Sequence, residues 1–280
     1  MIRPTSYVLS GSGTKFFVFI GALRVLFAAG RLPKRIMGTS GGGLVALYVA
    51  AHYNHRAPLE VIDALEDFAR GFEIDKLLDL GGIRWPQFWH GLYKGDKILA
   101  VLRQALPADW GKLTLPAYVV TSDRTADACK VWGADDKVEP AIAGRATMSL
   151  PGFDAVQIKG HWHTDGGTRA NYPLDYFNDV ADSDVVGLRF RPRADKAILH
   201  PGVQGRAVQS FKNKVEFNLD NIDDMIEGCS TAHMAAALKA RTIMLDAPGS
   251  GLAFKVSQQD ADEMIRGGEA SASAWLKANP

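Results

Sequence analysis

Arg35-Ile36-Met37 leads into Gly38-Thr39-Ser40-Gly41-Gly42-Gly43, which leads into Leu44-Val45-Ala46-Leu47-Tyr48-Val49-Ala50 at helical spacing. An apolar strand candidate that runs through glycines into an apolar helix puts its central residue on a sharp strand-to-helix turn. Glycines on both sides of Ser40 let the backbone bend and leave space for a substrate. The helix begins at or just after Ser40, so its unpaired N–H groups face any negative charge formed at the hydroxyl. A glycine-rich turn that merely caps a helix has the same local pattern. The rest of the chain has to decide between nucleophile and turn.

A second unit of the same kind precedes it. Tyr7-Val8-Leu9 is a short strand candidate and Ser10-Gly11-Ser12-Gly13-Thr14-Lys15 a glycine-rich turn. Phe16 to Leu26 then reads as a buried helix, stopped by Gly30 with Pro33 beyond. Two strand–turn–helix units in succession indicate an α/β sheet with helices on its faces. Ligands on such sheets collect at the carboxyl ends of the strands, where both turns fall. The amides of Gly11 to Thr14 are therefore expected beside Ser40. A nucleotide fits this turn poorly. Gly11-x-Gly13 lacks the third glycine of a dinucleotide fingerprint, and Lys15 has neither the preceding glycine run nor the following serine or threonine of a P-loop.

Further elements follow in order. Helices are expected at Leu59–Ala69, Lys94–Leu106 and Pro140–Met148, with a short helical or irregular piece at Ile74–Leu80. Strands are expected at Leu115–Thr121, Ala128–Trp132, Val156–Ile158 and Val185–Arg191, with a polar loop from Gly160 to Gly167. Tyr172 to Phe177 starts a helix. Gly205–Leu219 and Ile222–Arg241 look helical, Arg241–Leu245 reads as a last strand and Gln258–Lys277 as a terminal helix. Between Gly81 and Tyr93 lie Trp85, Phe88 and Trp89, a loop suited to an apolar entrance or to sealing the core. Pro192 to Pro201 is a surface excursion too short to force a boundary. One domain over residues 1–280 is the economical organisation.

Composition narrows the function classes. Lysine plus arginine (32) nearly balances aspartate plus glutamate (31), so a net charge of +1 gives no basis for a nucleic-acid partner. Cys129 and Cys229 are too few and too far apart for a disulfide framework or a zinc site, which makes the cytoplasm the default compartment. Met1 to Ser6 lacks the basic and apolar regions of a signal peptide, and no apolar run is long enough to span a bilayer. Contact with lipid is therefore expected to be peripheral.

An activated serine needs a base and donors for the tetrahedral oxyanion. The order Ser40, Asp165, His200 or His233 formally meets the α/β-hydrolase triad, although neither histidine has a distinctive setting. His161 and His163 with Asp165 could ligate zinc, but no partner cluster accompanies them. Asp165-Gly166-Gly167 is more informative, because the two glycines permit a tight path and leave the carboxylate uncrowded. A carboxylate bonded to the serine hydroxyl could accept its proton, provided burial raises it from the ordinary range near 4. An Asp-Gly turn with only structural work has the same pattern.

Taken together, three ordered motifs resemble the patatin-like phospholipase family. Ser10-Gly11-Ser12-Gly13-Thr14-Lys15 is similar to its oxyanion loop, Gly38-Thr39-Ser40-Gly41-Gly42 to its nucleophile elbow, and Asp165-Gly166-Gly167 to its Asp-Gly-Gly/Ala motif. Ala146 to Phe153 and Asn171-Tyr172-Pro173-Leu174 add to the likeness, which covers roughly residues 7–190. The resemblance implies a three-layer α/β/α fold with a central, mostly parallel sheet. It also implies a Ser40–Asp165 dyad without a catalytic histidine, acting on phospholipids or other acyl lipids through an acyl-enzyme. The backbone amides of Gly11, Ser12, Gly13 and Thr14 would hold the oxyanion, supported by Lys15, Gly38, Gly41, Gly42, Gly166 and Gly167. No metal or organic cofactor is implied, and peripheral membrane contact is. Oligomeric state is left open.

Two residues depart from the family pattern. Ser12 stands where the family has a middle glycine, a mild change if the backbone there is not left-handed. Phe16 replaces a glycine after the basic residue, and its ring could narrow the pocket, shift the amides or pack into the core. These two positions are the support for the competing reading, a degenerate member that binds lipid or a partner without turnover. For Lys15, a solvated side chain is the plain alternative to an electrostatic role in the loop.

Overall fold

The computed structural model describes residues 3–81, 91–150, 152–177, 184–191, 241–247 and 255–279. Most of the Gly81–Tyr93 aromatic loop, the Pro192–Pro201 excursion, Gly205–Leu219 and nearly all of Ile222–Arg241 lie outside them, as do His90, His200, His233 and Cys229.

A mixed sheet of eight strands forms the centre, ordered β5-β6-β3-β2-β1-β7-β8 with β4 paired to β3. The strands are β1 (Arg3–Leu9), β2 (Arg31–Thr39), β3 (Ala117–Asp123), β4 (Ala128–Trp132), β5 (Val156–Ile158), β6 (His161–Asp165), β7 (Val185–Phe190) and β8 (Thr242–Leu245). The β3-β2-β1-β7-β8 run is parallel throughout, while β4 and β6 each meet β3 antiparallel. Alternate residues of the parallel strands feed opposite faces, as a sheet covered on both sides requires. Tyr7, Leu9, Ile36, Val119, Val186 and Leu188 point into the larger core, and Val8, Met37, Val120 and Val185 into the smaller one.

Helices α1 (Phe17–Ala28), α2 (Gly41–His52), α3 (Glu60–Gly71), α5 (Asp96–Ala105), α6 (Pro140–Thr147) and α8 (Gln258–Ala278) contribute to the larger core. A single turn, α4 (Ile74–Leu77), follows α3. On the other face, α7 (Gly167–Ala170) and a 3₁₀ turn at Leu174–Phe177 supply Ala170, Leu174 and Phe177. The outcome is an α/β architecture with a mostly parallel central sheet flanked by helices. Helix α1 is apolar nearly all round because α8 covers the side away from the sheet. Gly21 and Gly268 permit that close crossing: a Cβ at either would overlap a backbone carbonyl of the opposite helix. A Ser257–Asp260 capping box starts α8.

Two local expectations are corrected, and one of the two readings of Lys15 is decided. The stretch after Gly160 is a strand, β6, joined to β5 by Lys159 and Gly160, both with positive φ (51° and 84°), as in a two-residue hairpin turn. Strand β2 begins at Arg31, ahead of Pro33, which pairs with Thr5 beside a bulge where the register shifts between Thr5 and Ser6 and leaves Lys34 as the extra residue. Lys15 is buried rather than solvated, with its ammonium 5.6 Å from the centre of the Phe190 ring. Among the described residues no helix is long and apolar enough to cross a membrane.

Candidate active site

The register on β3 assembles the site. Strand β2 runs parallel to β3 until Thr39 pairs with Val120. Strand β6 runs the other way and ends where Asp165 pairs with Thr121. Strand β4 holds the opposite edge of β3 over those residues, so β2 and β6 share one edge and meet head to head. Ser40 directly follows the end of one strand, and Asp165 is the end of the other. Thr39 Oγ1 donates to the Ala170 carbonyl at 3.1 Å, tying the junction to α7.

Ser40 carries the strain of the turn. Its φ of 53° and ψ of −127° lie in a region that non-glycine residues rarely adopt. The flanking glycines are needed for room. A Cβ at Gly38 would overlap the Gly42 carbonyl, and one at Gly42 the Ser10 carbonyl. The Ser40 N–H donates to Thr147 Oγ1 at 2.9 Å, and that hydroxyl donates to the Val120 carbonyl. Thr147 thus pins the turn to β3. The first intrahelical bond of α2 runs from Leu44 N–H to the Ser40 carbonyl (3.1 Å), so the Gly41, Gly42 and Gly43 amides precede the helical ladder.

Asp165 is fully buried. Its backbone N–H donates to the Ser149 carbonyl (2.9 Å), its carbonyl accepts from Ser122 Oγ (2.9 Å), and Oδ1 accepts the Gly167 N–H (2.7 Å). Oδ2 has no well-formed hydrogen bond among the described residues. Burial pushes the carboxyl up to about 7, and the Ser40 side chain and the Gly167 N–H act in the opposite direction. The Ser40 side chain is therefore near enough to act on the carboxylate without completing a bond of ordinary geometry to Oδ2. Gly166 is required by closeness, since a Cβ there would overlap the Val120 carbonyl.

The early loop lies against the elbow. Leu9 pairs with Gly38, and a Cβ at Gly41 would meet Ser12 Oγ and the Gly13 carbonyl. Ser12 has φ −138°, which any residue adopts, whereas Gly13 is left-handed at 52° and opens a 3₁₀ turn over Gly13–Phe16. The Gly11 N–H donates to the Asn171 carbonyl at 2.9 Å, so it is engaged and not presented to a ligand. Among the described residues the Ser12 and Gly13 N–H groups have no acceptor. Gly11 contributes space: Asn171 Oδ1 occupies the position a Cβ would take, and Ser40 Cβ lies 3.6 Å from that point. Phe16 is buried and stacked on Phe17 at 4.8 Å.

Thr147 and Asn171 were not singled out as functional from sequence. The available signal was their place in the Ala146–Phe153 and Asn171–Leu174 segments. The histidines of the described residues have other partners or sites. His163 Nδ1 lies 3.1 Å from Thr121 Oγ1, His161 Nδ1 2.7 Å from Asp123 Oδ2, and His52 Nε2 2.8 Å from the Ala105 carbonyl.

The family profile described as Patatin-like phospholipase matches residues 7–178, more than half of the chain and all three motifs. The chain belongs to the patatin-like phospholipase family. Membership places it in a lipid-related hydrolase family of enzymes. A chain of similar length, the uncharacterized protein YqhO of Bacillus subtilis, is 25% identical over 291 residues, covering 96% of this chain and 97% of that one. Triacylglycerol lipase 4 of Saccharomyces cerevisiae is 36% identical over 75 residues, which are 27% of this chain and 8% of the yeast protein. Among solved structures, VipD from Legionella pneumophila shares the fold with a TM-score of 0.62 at 15% identity, over 98% of this chain and 67% of that chain.

Proposed function

We propose that this single-domain protein is a serine acyl hydrolase that cleaves carboxylic esters of phospholipids or related lipids through a Ser40–Asp165 dyad. The observation that carries the reading is the head-to-head meeting of β2 and β6 on one edge of β3, which ends at Ser40 and Asp165. Asp165, raised to about 7 by burial, is a far stronger base than an exposed carboxylate. Ser40 Oγ attacks the ester carbonyl while its proton passes to Asp165, and the alcohol leaves with that proton. The amides of Ser12, Gly13 and Gly41 are the proposed oxyanion donors, and losing one such donor typically costs about 3 kcal/mol of transition-state stabilisation. Thr14 and Lys15, both buried, complete the same loop. The named activity of the yeast relative, a triacylglycerol lipase, agrees with an acyl ester substrate.

Intact mass after exposure to a fluorophosphonate tests the reading. Wild type is expected to gain one adduct, Ser40→Ala none, and Asp165→Asn to react at least about a hundredfold more slowly. The wild-type rate is expected to rise about tenfold per pH unit up to about 7 and then level, because only the ionised Asp165 accepts the proton. A wild type that takes no adduct, or a flat profile across that range, would overturn the assignment. The same group sets a stability slope. Its folded pKa lies above its ordinary value, so the folded state binds the extra proton and stability falls as pH rises from about 4 to about 7. Asp165→Asn is expected to remove that slope in urea titrations.

A further inference from the structure

Two buried oxygens beside Ser40 have no protein donor among the described residues, Asp165 Oδ2 and Asn171 Oδ1. The proposed acylation uses the first and leaves the second without work. Asn171 is only 5% exposed. Its carbonyl takes the Gly11 N–H at 2.9 Å, and its Oδ1 sits in the notch that Gly11 leaves by lacking a Cβ, facing the same point as Ser40 Cβ. Buried amide oxygens without a donor are rare in folded proteins, because each gives up hydration without compensation. This one borders a notch that Ser40 Cβ also borders, 3.6 Å from the position a Gly11 Cβ would take, where a reactant can supply the donor.

Deacylation brings such a reactant. The water that attacks acyl-Ser40 has two O–H groups: one proton goes to Asp165, and the other O–H needs an acceptor that aims the oxygen lone pair at the acyl carbon. We propose that Asn171 Oδ1 is that acceptor, so that Asn171 orients the hydrolytic water between itself and Asp165. The inference rests on the Ser40–Asp165 reading. In the step, the water oxygen bonds to the acyl carbon, the carbonyl electron pair moves to the oxyanion and one water proton passes to Asp165. Collapse breaks the bond to Ser40 Oγ, which recovers that proton from Asp165 and leaves the free carboxylic acid. Asn171 neither gains nor loses a proton. An amide oxygen suits the task, because it accepts a hydrogen bond without competing as a base. The opposite orientation of the amide would turn –NH₂ toward the loop and make Asn171 an oxyanion donor in both half-reactions. That arrangement has a different kinetic signature.

Stopped-flow release of p-nitrophenol from p-nitrophenyl butyrate separates the two halves, the burst reporting acylation and the steady state deacylation. Asn171→Ala is expected to keep the burst rate within about threefold of wild type while the steady state slows at least about thirtyfold. Butyryl-Ser40 should then accumulate in intact mass spectra. Hydroxylamine, a stronger nucleophile with less need of orientation, should restore release of the acyl group. Equal losses in burst and steady state, or a steady state like that of wild type, would overturn the proposal. A wild type that takes neither butyryl nor fluorophosphonate adduct would remove the dyad itself. An adduct-forming wild type beside an unaffected Asn171→Ala would remove only the role of Asn171. Should Asn171→Ala lack the wild-type circular dichroism spectrum, Asn171→Ser, which shortens the acceptor but keeps a polar side chain, carries the same expectation.

Discussion

The two glycine-rich turns after β1 and β2 stand side by side, yet they use glycine for different reasons. At the elbow, Gly38, Gly41 and Gly42 have ordinary φ and are needed because other atoms come too close for a Cβ. The one left-handed residue there is Ser40, the proposed nucleophile, at φ 53°. In the early loop the left-handed residue is Gly13, at 52°, and Gly11 makes room for a side chain rather than for backbone. A turn built by backbone contact has no slack. One built around a single conformation and a movable side chain can accept Ser12 and Phe16. Strain is thus concentrated on Ser40, while the early loop relaxes into ordinary geometry.

Adding one methyl group to each turn sharpens the contrast. Gly42→Ala would drive a Cβ into the Ser10 carbonyl and crowd Leu9 as well, forcing the two turns apart. A stability loss of at least about 3 kcal/mol in urea unfolding is expected, together with loss of fluorophosphonate labelling. Gly11→Ala meets the end of the Asn171 side chain, which can rotate away, so the cost should stay under about 1 kcal/mol. Turnover of p-nitrophenyl butyrate should nevertheless fall about tenfold or more, because a small displacement in a preorganised site is expensive. Comparable stability losses in the two variants would erase the distinction.

Much of this arrangement was legible because glycine, serine and aspartate act locally. The turn at Ser40, the loop at Gly11 to Lys15 and the Asp165-Gly166-Gly167 motif each announce themselves within a few residues. Their meeting does not. It depends on β6 joining the edge of β3 beyond the end of β2, a pairing between strands some forty residues apart in sequence. The His161–Asp165 strand reads as a polar loop because its alternation carries histidine, threonine and a buried aspartate rather than aliphatic residues. Gly11 was expected to lend its N–H to the oxyanion, and only the long-range bond to Asn171 reveals that this N–H is taken. Thr147 is a similar case, since its hydroxyl bridges Ser40 and Val120 across the fold. Motifs mark which residues matter, whereas long-range hydrogen bonds decide which atom of each is left for chemistry.

Phe16 offers the smallest expected effect and the sharpest separation of loop from core. A ring next to the basic residue of the loop could have pressed on the amides. Instead it is buried at 3% exposure, stacked on Phe17 and set edge-on to Phe72 at 6.5 Å. Those neighbours belong to α1 and to the residue just after α3, so the ring joins the helical layer to itself. Phe16→Leu keeps an apolar side chain of similar volume and should cost about 1 kcal/mol through imperfect repacking. Ester turnover at fixed enzyme concentration should match wild type, because the backbone of Ser12 and Gly13 is set by Gly41 and by the left-handed Gly13 rather than by the ring. A turnover change larger than about threefold at unchanged stability would mean that Phe16 shapes the loop and does more than pack the helical layer.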